Sequence, residues 1–131
     1  MKKQGILHPE LSDLIASMGH TDALVVADAG LPIPDELWRI DLALTQGIPP
    51  FLDTVRAILA ELEVQEVIVA EELSSKSPEL YEHLRALLGD IPISAVPHEE
   101  FKERTCDARG IVRTGEFTPY ANVLLISGVV F

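Results

Sequence analysis

Leu11, Leu14, Ile15 and Met18 recur at the three-and-four spacing of one buried helix face. Pro9 and Glu10 suit the first turn of that helix, and Gly19 stands where a left-handed residue would stop it. The period then shortens. Ala23-Leu24-Val25-Val26-Ala27 is an apolar run of strand length, and the segment from Asp28 to Pro34 carries two prolines that cannot continue a ladder. Trp38 to Leu42 alternates like a half-buried strand until Gly47-Ile48-Pro49-Pro50 breaks it. Phe51, Leu52, Val55, Ile58, Leu59 and Leu62 form a second helical stripe, and Val64 to Ala70 reads as the next strand. Ser77 followed by Pro78 is an N-cap with proline in the first helical turn; Leu80, Tyr81, Leu84, Leu87 and Leu88 give that helix its face, and Gly89 ends it. Ile91 to Val96 returns to strand, and Pro97 to Lys102 opens a short helix with Glu99 and Glu100 where the dipole favours acids. Ile111-Val112-Arg113 and Val123 to Ile126 are the last strands, with Val129-Val130-Phe131 as a continuation.

Strands alternating with helices predict an α/β fold: a three-layer single domain over residues 1–131, whose open sheet is mainly parallel, with a mixed sheet as the alternative, and is covered by helices on both faces. A length of 131 residues, 47% of them hydrophobic, supplies one core. No repeat or linker divides it. A chain ending on Val-Val-Phe leaves three apolar residues to be covered, and a subunit contact is the cover the sequence suggests.

Charge narrows the partners. Ten Lys and Arg against twenty-one Asp and Glu leave a formal charge of -11, and no basic cluster faces a phosphate backbone, so nucleic acid is excluded as a partner. No apolar run approaches the roughly twenty residues of a membrane span, and the first residues do not read as a leader. The single cysteine, Cys106, fits a reducing compartment and reads as a packed, inert thiol; the cytoplasm is the expected location. Neither G-x-G-x-x-G nor a Walker loop occurs, Gly30 being a lone glycine, and no Cys or His stands at metal-ligand spacing. A neutral small molecule is the ligand class that such an acidic chain accepts without penalty.

The candidate chemistry is carried by few residues. His20 lies just beyond the first helix in Gly19-His20-Thr21-Asp22, where the negative end of a helix suits a proton donor. His98 opens a helix, where the same dipole suits a neutral ring able to accept a proton. Asp28 falls at the carboxyl end of a strand, the edge at which open α/β sheets bind ligands, though a turn-capping aspartate reads equally well. The loop from Thr114 to Asn122 brings an aromatic ring, Tyr120, and an amide, Asn122, between two strands; it suits a sugar face and its hydroxyls, or a structural turn. His8 reads as a cap, His83 as solvated, and Glu71-Glu72 as a solvated strand end.

Gly19-His20-Thr21-Asp22, Val26-Ala27-Asp28-Ala29-Gly30-Leu31-Pro32, Pro97-His98-Glu99-Glu100-Phe101-Lys102 and the segment Arg113 to Asn122 together resemble the D-ribose pyranase family, within the wider group of ribose pyranases and fucose mutarotases. The likeness runs from Lys2 to Phe131, and Tyr120-Ala121-Asn122 after Thr118-Pro119 resembles the ribose branch more than the fucose branch. Pro50, where a serine is expected, and Arg109-Gly110 depart from the pattern outside the site residues. The resemblance implies a ring-based homodecamer with sites near subunit boundaries, and exchange of D-ribose between pyranose and furanose forms without cofactor or metal. By position, His20 resembles the family's proton donor, and Asp28, His98, Tyr120 and Asn122 its sugar-binding residues; Lys102 matches without an assigned role. Opening a hemiacetal moves one proton off the anomeric hydroxyl and another onto the ring oxygen, which positioned acid and base groups accomplish alone. The expected acceptor is His98, or Asp28 acting through it. The rival expectation is a sugar-binding accessory protein of a transport system, which reads the same hydroxyls without turnover.

Overall fold

A computed structural model describes residues 1–131. Six strands, β1 (Ala23–Ala27), β2 (Arg39–Asp41), β3 (Val64–Ala70), β4 (Ile93–Val96), β5 (Gly110–Arg113) and β6 (Val123–Ser127), form one sheet in the order β2-β5-β1-β6-β3-β4. β1 to β5 all run in one direction; β6 alone runs against them, wedged between β1 and β3. The sheet is therefore mixed, with parallel strands in the majority. Five helices accompany it: α1 (Pro9–Ser17), α2 (Phe51–Leu59), α3 (Glu71–Lys76), α4 (Pro78–Leu88) and α5 (His98–Thr105).

Alternation along the central strands makes the three layers. Leu24, Val26, Val67, Val69, Val123 and Leu125 face one side, under Leu14 of α1, Phe51, Val55 and Ile58 of α2, Leu73 of α3 and Leu84 of α4. Their neighbours Val25, Ala27, Ile68 and Leu124 face the other side, under Phe101 of α5 and the Leu31 to Ile33 loop. The rest of α5 is polar or charged, with only Thr105 also buried, so the fully buried Phe101 ring is the apolar anchor that holds it to the sheet; such burial contributes about 1.5–3 kcal/mol. No helix is long and apolar enough to cross a membrane.

Several local expectations give way to tertiary demands. Gly19 does not take the left-handed conformation; Thr21 does, at φ 69°, because the turn into β1 is built around Asp22, whose carboxylate accepts the Gly19 N–H at 2.8 Å. Ser77 stands at the N-cap of α4 without capping it, its hydroxyl donating instead to the Pro119 carbonyl at 2.7 Å. Glu71 and Glu72 begin α3 rather than ending a strand in solvent. Val129-Val130-Phe131 does not extend β6, which ends at Ser127, and Val130 and Phe131 are fully exposed in the single chain. Cys106 is exposed, and the two arginines near it are engaged elsewhere, Arg104 with Glu100 and Arg109 with Asp22. Gly89 closes α4 at φ 60° as the sequence predicts.

A turn at residues 45–48 closes against the loop after β5: Gly47 N–H donates to the Gly115 carbonyl at 2.6 Å, and Gly115 N–H to that of Pro49 at 2.9 Å. A Cβ on Gly115 would lie 2.5 Å from the carbonyl oxygens of Thr45 and Ile48, both backbone atoms that cannot step aside. Gly115→Ala is expected to lower stability by several kcal/mol, in the range of core overpacking or more, read as a fall in the urea midpoint; a midpoint unchanged from wild type would show that the turn does not hold the loop.

Candidate functional site

The shared direction of β1, β3, β4 and β5 brings their carboxyl ends to one edge of the sheet, and the reversed β6 begins there. Asp28 follows β1, Glu71 and Glu72 follow β3, His98 opens α5 after β4, Thr114 to Tyr120 follow β5, and Asn122 leads into β6. This is the edge at which open α/β sheets present ligand sites. A cleft of about 270 Å³ is lined there by Asp28, Gly30, Leu31, Pro32, His98, Pro119, Tyr120 and Asn122. That is just under the usual size of a drug-sized pocket, which suits a small ligand. A larger hollow of about 540 Å³ beside α4 has none of these converging groups.

Asn122 is 1% exposed, and its amide spans Asp28: Oδ1 accepts the Asp28 N–H at 2.9 Å and Nδ2 donates to Asp28 Oδ2 at 3.1 Å. Asp28 Oδ1 accepts the Gly30 N–H at 3.0 Å. Burial pushes the Asp28 carboxyl above its usual range, partly opposed by the donors from Gly30, Asn122 and Leu31 and by the nearby His98. A carboxylate so disposed is a better proton acceptor than one in water.

Tyr120 sits in a left-handed conformation, φ 63°, which an aromatic residue adopts only when its surroundings compel it. Its ring meets the His98 ring edge-on at 5.0 Å, and the other neighbour of His98 is Phe101, parallel at 6.4 Å between centroids. The His98 backbone N–H is held by both oxygens of Glu72, at 3.1 and 3.2 Å. Glu72 thereby does for α5 what its N-cap, Pro97, cannot, since that residue has no side-chain acceptor. Lys102, one turn along, is paired with Glu99 at 2.8 Å.

Glu116 fastens the loop. Its carboxylate accepts from Phe51 N–H at 3.0 Å and from Thr118 Oγ1 at 2.9 Å, and its carbonyl accepts the Ala29 N–H at 2.9 Å. It supplies the first turn of α2 with the acceptor that Pro50, the N-cap, lacks. Thr114, wholly buried, donates its hydroxyl to the Ala27 carbonyl at 2.7 Å and ties the same loop to the end of β1. By sequence Glu72 reads as part of a solvated strand end, and Glu116 is not singled out. The signal available was indirect: Pro97 and Pro50 each precede a helix without a side-chain acceptor.

His20 is elsewhere. It lies before the amino end of β1, exposed, with Nε2 at 2.9 Å from Gln65 Oε1 near the start of β3. β1 alone separates the two edges by about 13 Å, so the single chain gathers Asp28, His98, Tyr120 and Asn122 and leaves His20 at the opposite edge. The C-terminal residues share the His20 edge, because Thr21 N–H donates to Ser127 O and Gly128 N–H to Glu63 O. His8 is the cap of α1 that its position suggests, Nδ1 accepting Leu11 N–H at 3.3 Å, and His83 faces solvent.

The profile of the RbsD / FucU transport protein family matches residues 1–130. The chain is 57% identical over its whole length to the D-ribose pyranase of Coprothermobacter proteolyticus, covering all of that protein, and 54% identical to that of Geobacillus kaustophilus, covering 96% of it. Bacillus subtilis RbsD, solved in complex with D-ribose, superimposes with a TM-score of 0.96 at 47% identity, each chain fully covered. The fucose mutarotase of Streptococcus pneumoniae, solved with L-fucose, is more distant, with a TM-score of 0.75 at 27% identity over 95% of each chain.

Burial raises the Glu116 carboxyl pKa, but the donors from Phe51, Thr118 and Phe117 outweigh it and leave the group below its ordinary value. The ionised side chain therefore contributes stability that is present above the unfolded value and lost as pH falls through the folded one. Glu116→Gln is expected to cost about 1–3 kcal/mol at neutral pH and to make the loss of stability below about pH 4.5 shallower than in wild type, measured by urea unfolding across pH. Parallel stability profiles of the two proteins would show that the carboxylate does not fasten the loop.

Proposed function

The chain belongs to the RbsD / FucU family, and on that footing we propose that it interconverts the pyranose and furanose forms of D-ribose by ring opening and reclosure. What carries the reading is the cleft at the carboxyl edge: a half-buried carboxylate, an imidazole, a phenol ring and an amide around a space of about 270 Å³, in a chain 54–57% identical to named D-ribose pyranases. The reaction joins neutral isomers, so no net redox change or hydrolysis has to be supplied. Asp28, His98, Tyr120 and Asn122 bind and orient the sugar. Since both oxygens of Asp28 and both ends of the Asn122 amide already serve each other or the backbone, Asn122 acts on the sugar through its remaining N–H and lone pair.

His20 is the donor to the ring oxygen, and it reaches the sugar from a neighbouring subunit. Two observations support this. The single chain leaves His20 at the wrong edge for its own cleft, and both edges carry exposed apolar side chains: Val130 and Phe131 on the His20 edge, and Leu44, Ile48 and Phe117 around the loop that closes the cleft. A head-to-tail contact that closes into rings covers both at once. We assign the assembly as a ring-based homodecamer of one-domain subunits, working in the cytoplasm.

Saturation-transfer NMR of D-ribose tests the activity: added protein should accelerate exchange between ring forms. Shifts or broadening without faster exchange would make the protein a sugar-binding component of a transport system, and faster exchange of L-fucose than of D-ribose would move it to the fucose branch. His20→Ala should bind ribose and lose about 10²–10⁴ in exchange rate; an unchanged rate removes His20 from the chemistry. His20→Ala and Tyr120→Ala subunits, each inactive alone, should regain roughly a quarter of the wild-type sites when unfolded and reassembled together, because only some boundaries then carry both intact halves. No recovery would place His20 outside the shared site.

A further inference from the structure

His98 Nδ1 is buried and has no hydrogen-bond partner, the only side-chain nitrogen or oxygen in the chain so placed. A neutral imidazole carries one N–H, and which nitrogen holds it is decided by what the other nitrogen meets. On Nδ1, the proton would be a buried donor with nothing to bond. On Nε2, it leaves Nδ1 only an unused lone pair, which folded proteins tolerate far more readily than an orphaned N–H. The helix argues the same way. His98 is the first residue of α5, where the positive end of the helix favours a lone pair nearby and opposes an N–H aimed at it. The ring lies between Tyr120, edge-on at 5.0 Å, and Phe101, parallel at 6.4 Å, and the residue's backbone N–H is bonded to Glu72.

From this we infer that neutral His98 holds its proton on Nε2 and presents it to the cleft as a donor, so that the group accepting the anomeric proton is the carboxylate of Asp28. The inference rests on the ring-exchange reading above and departs from the sequence-based expectation that His98, or Asp28 acting through it, is the acceptor. Burial of Nδ1 is what makes the neutral ring a donor toward the cleft.

The step balances as a proton relay. The anomeric O–H gives its proton to an Asp28 oxygen, and the electron pair left behind forms the C1 carbonyl. The bond between C1 and the ring oxygen breaks, its pair going to that oxygen, which takes a proton from His20 of the neighbouring subunit. His98 Nε2–H holds a sugar oxygen in place throughout and neither gains nor loses a proton. Closure through a different hydroxyl reverses each transfer: the attacking hydroxyl's proton returns to His20, and Asp28 gives its own back to the anomeric oxygen. The environment of Asp28 suits the task, since burial raises its proton affinity while the donors from Gly30, Leu31 and Asn122 still leave the carboxylate a lone pair to accept with.

Two measurements test it separately from the activity itself. In the intact, ligand-free protein labelled with ¹⁵N-histidine, long-range ¹H–¹⁵N correlations should show His98 with an unprotonated Nδ1 and a protonated Nε2; the reverse tautomer overturns the inference whether or not ribose exchange is found. In ring-exchange kinetics, Asp28→Asn should lower kcat by about 10²–10⁴. His98→Gln, whose amide nitrogen stands near the place of Nε2, should act mainly by raising KM, with kcat falling by less than about tenfold. A loss of kcat in His98→Gln as large as that in Asp28→Asn would make the imidazole the base. Absence of exchange in the wild-type protein would instead defeat the proposed activity and leave the tautomer to the NMR result.

Discussion

The Asn122 amide, closed on the backbone and the carboxylate of Asp28, is the interaction around which the carboxyl edge is organised. It exists because β6 runs against its neighbours: a strand entering beside the exit of β1 puts the residue before one next to the residue after the other. A parallel β6 would begin at the far edge and leave Asp28 an unsupported loop residue. Burial at this edge is the source of the carboxylate's raised proton affinity, and the donor from Asn122 partly opposes it.

Around that pair, the site is assembled from segments that lack their own means of support. α5 begins after a proline and is capped by Glu72 from α3; α2 begins after a proline and is capped by Glu116 from the loop beyond β5. Each helix start is therefore tied to a residue of the cleft rim. Ser77 and Thr114 add hydroxyl bonds from the same rim to Pro119 and Ala27. The left-handed Tyr120 is sustained by this frame, and its ring completes the wall of the His98 pocket. Rigidity of this kind suits a reaction whose catalysts must only hold an opening sugar and pass protons across it.

Legibility in the sequence followed the range of the interactions. Periodicity located β1, β3, α4 and the start of α5 within a residue or two, because those elements are marked by local alternation, by Pro78 and by Gly89. α3 escaped notice since Glu71-Glu72-Leu73-Ser74 has one buried residue and no stripe. Gly19 and Ser77 carried sound local signals that were overruled, the first by the Asp22 turn and the second by the Pro119 carbonyl 42 residues away. At the site, Asp28, His98, Tyr120 and Asn122 were legible as residues, and the fold brings them together. That His20 stands at the opposite edge was not, because a segment on either side of one strand reads the same whether it shares the site or lies a strand length from it.

What the sequence determined by itself is the alternation of strands and helices, the neutral, small-ligand character of the chemistry and the residue types that carry it, since composition and local period are properties of neighbours along the chain. Only the tertiary structure decided the reversed direction of β6, the capping of two proline-led helices from afar, the burial of His98 Nδ1 and the separation of His20 from the cleft. Each of these depends on which distant segments pack together, and packing is settled by the whole core at once rather than by any stretch of it.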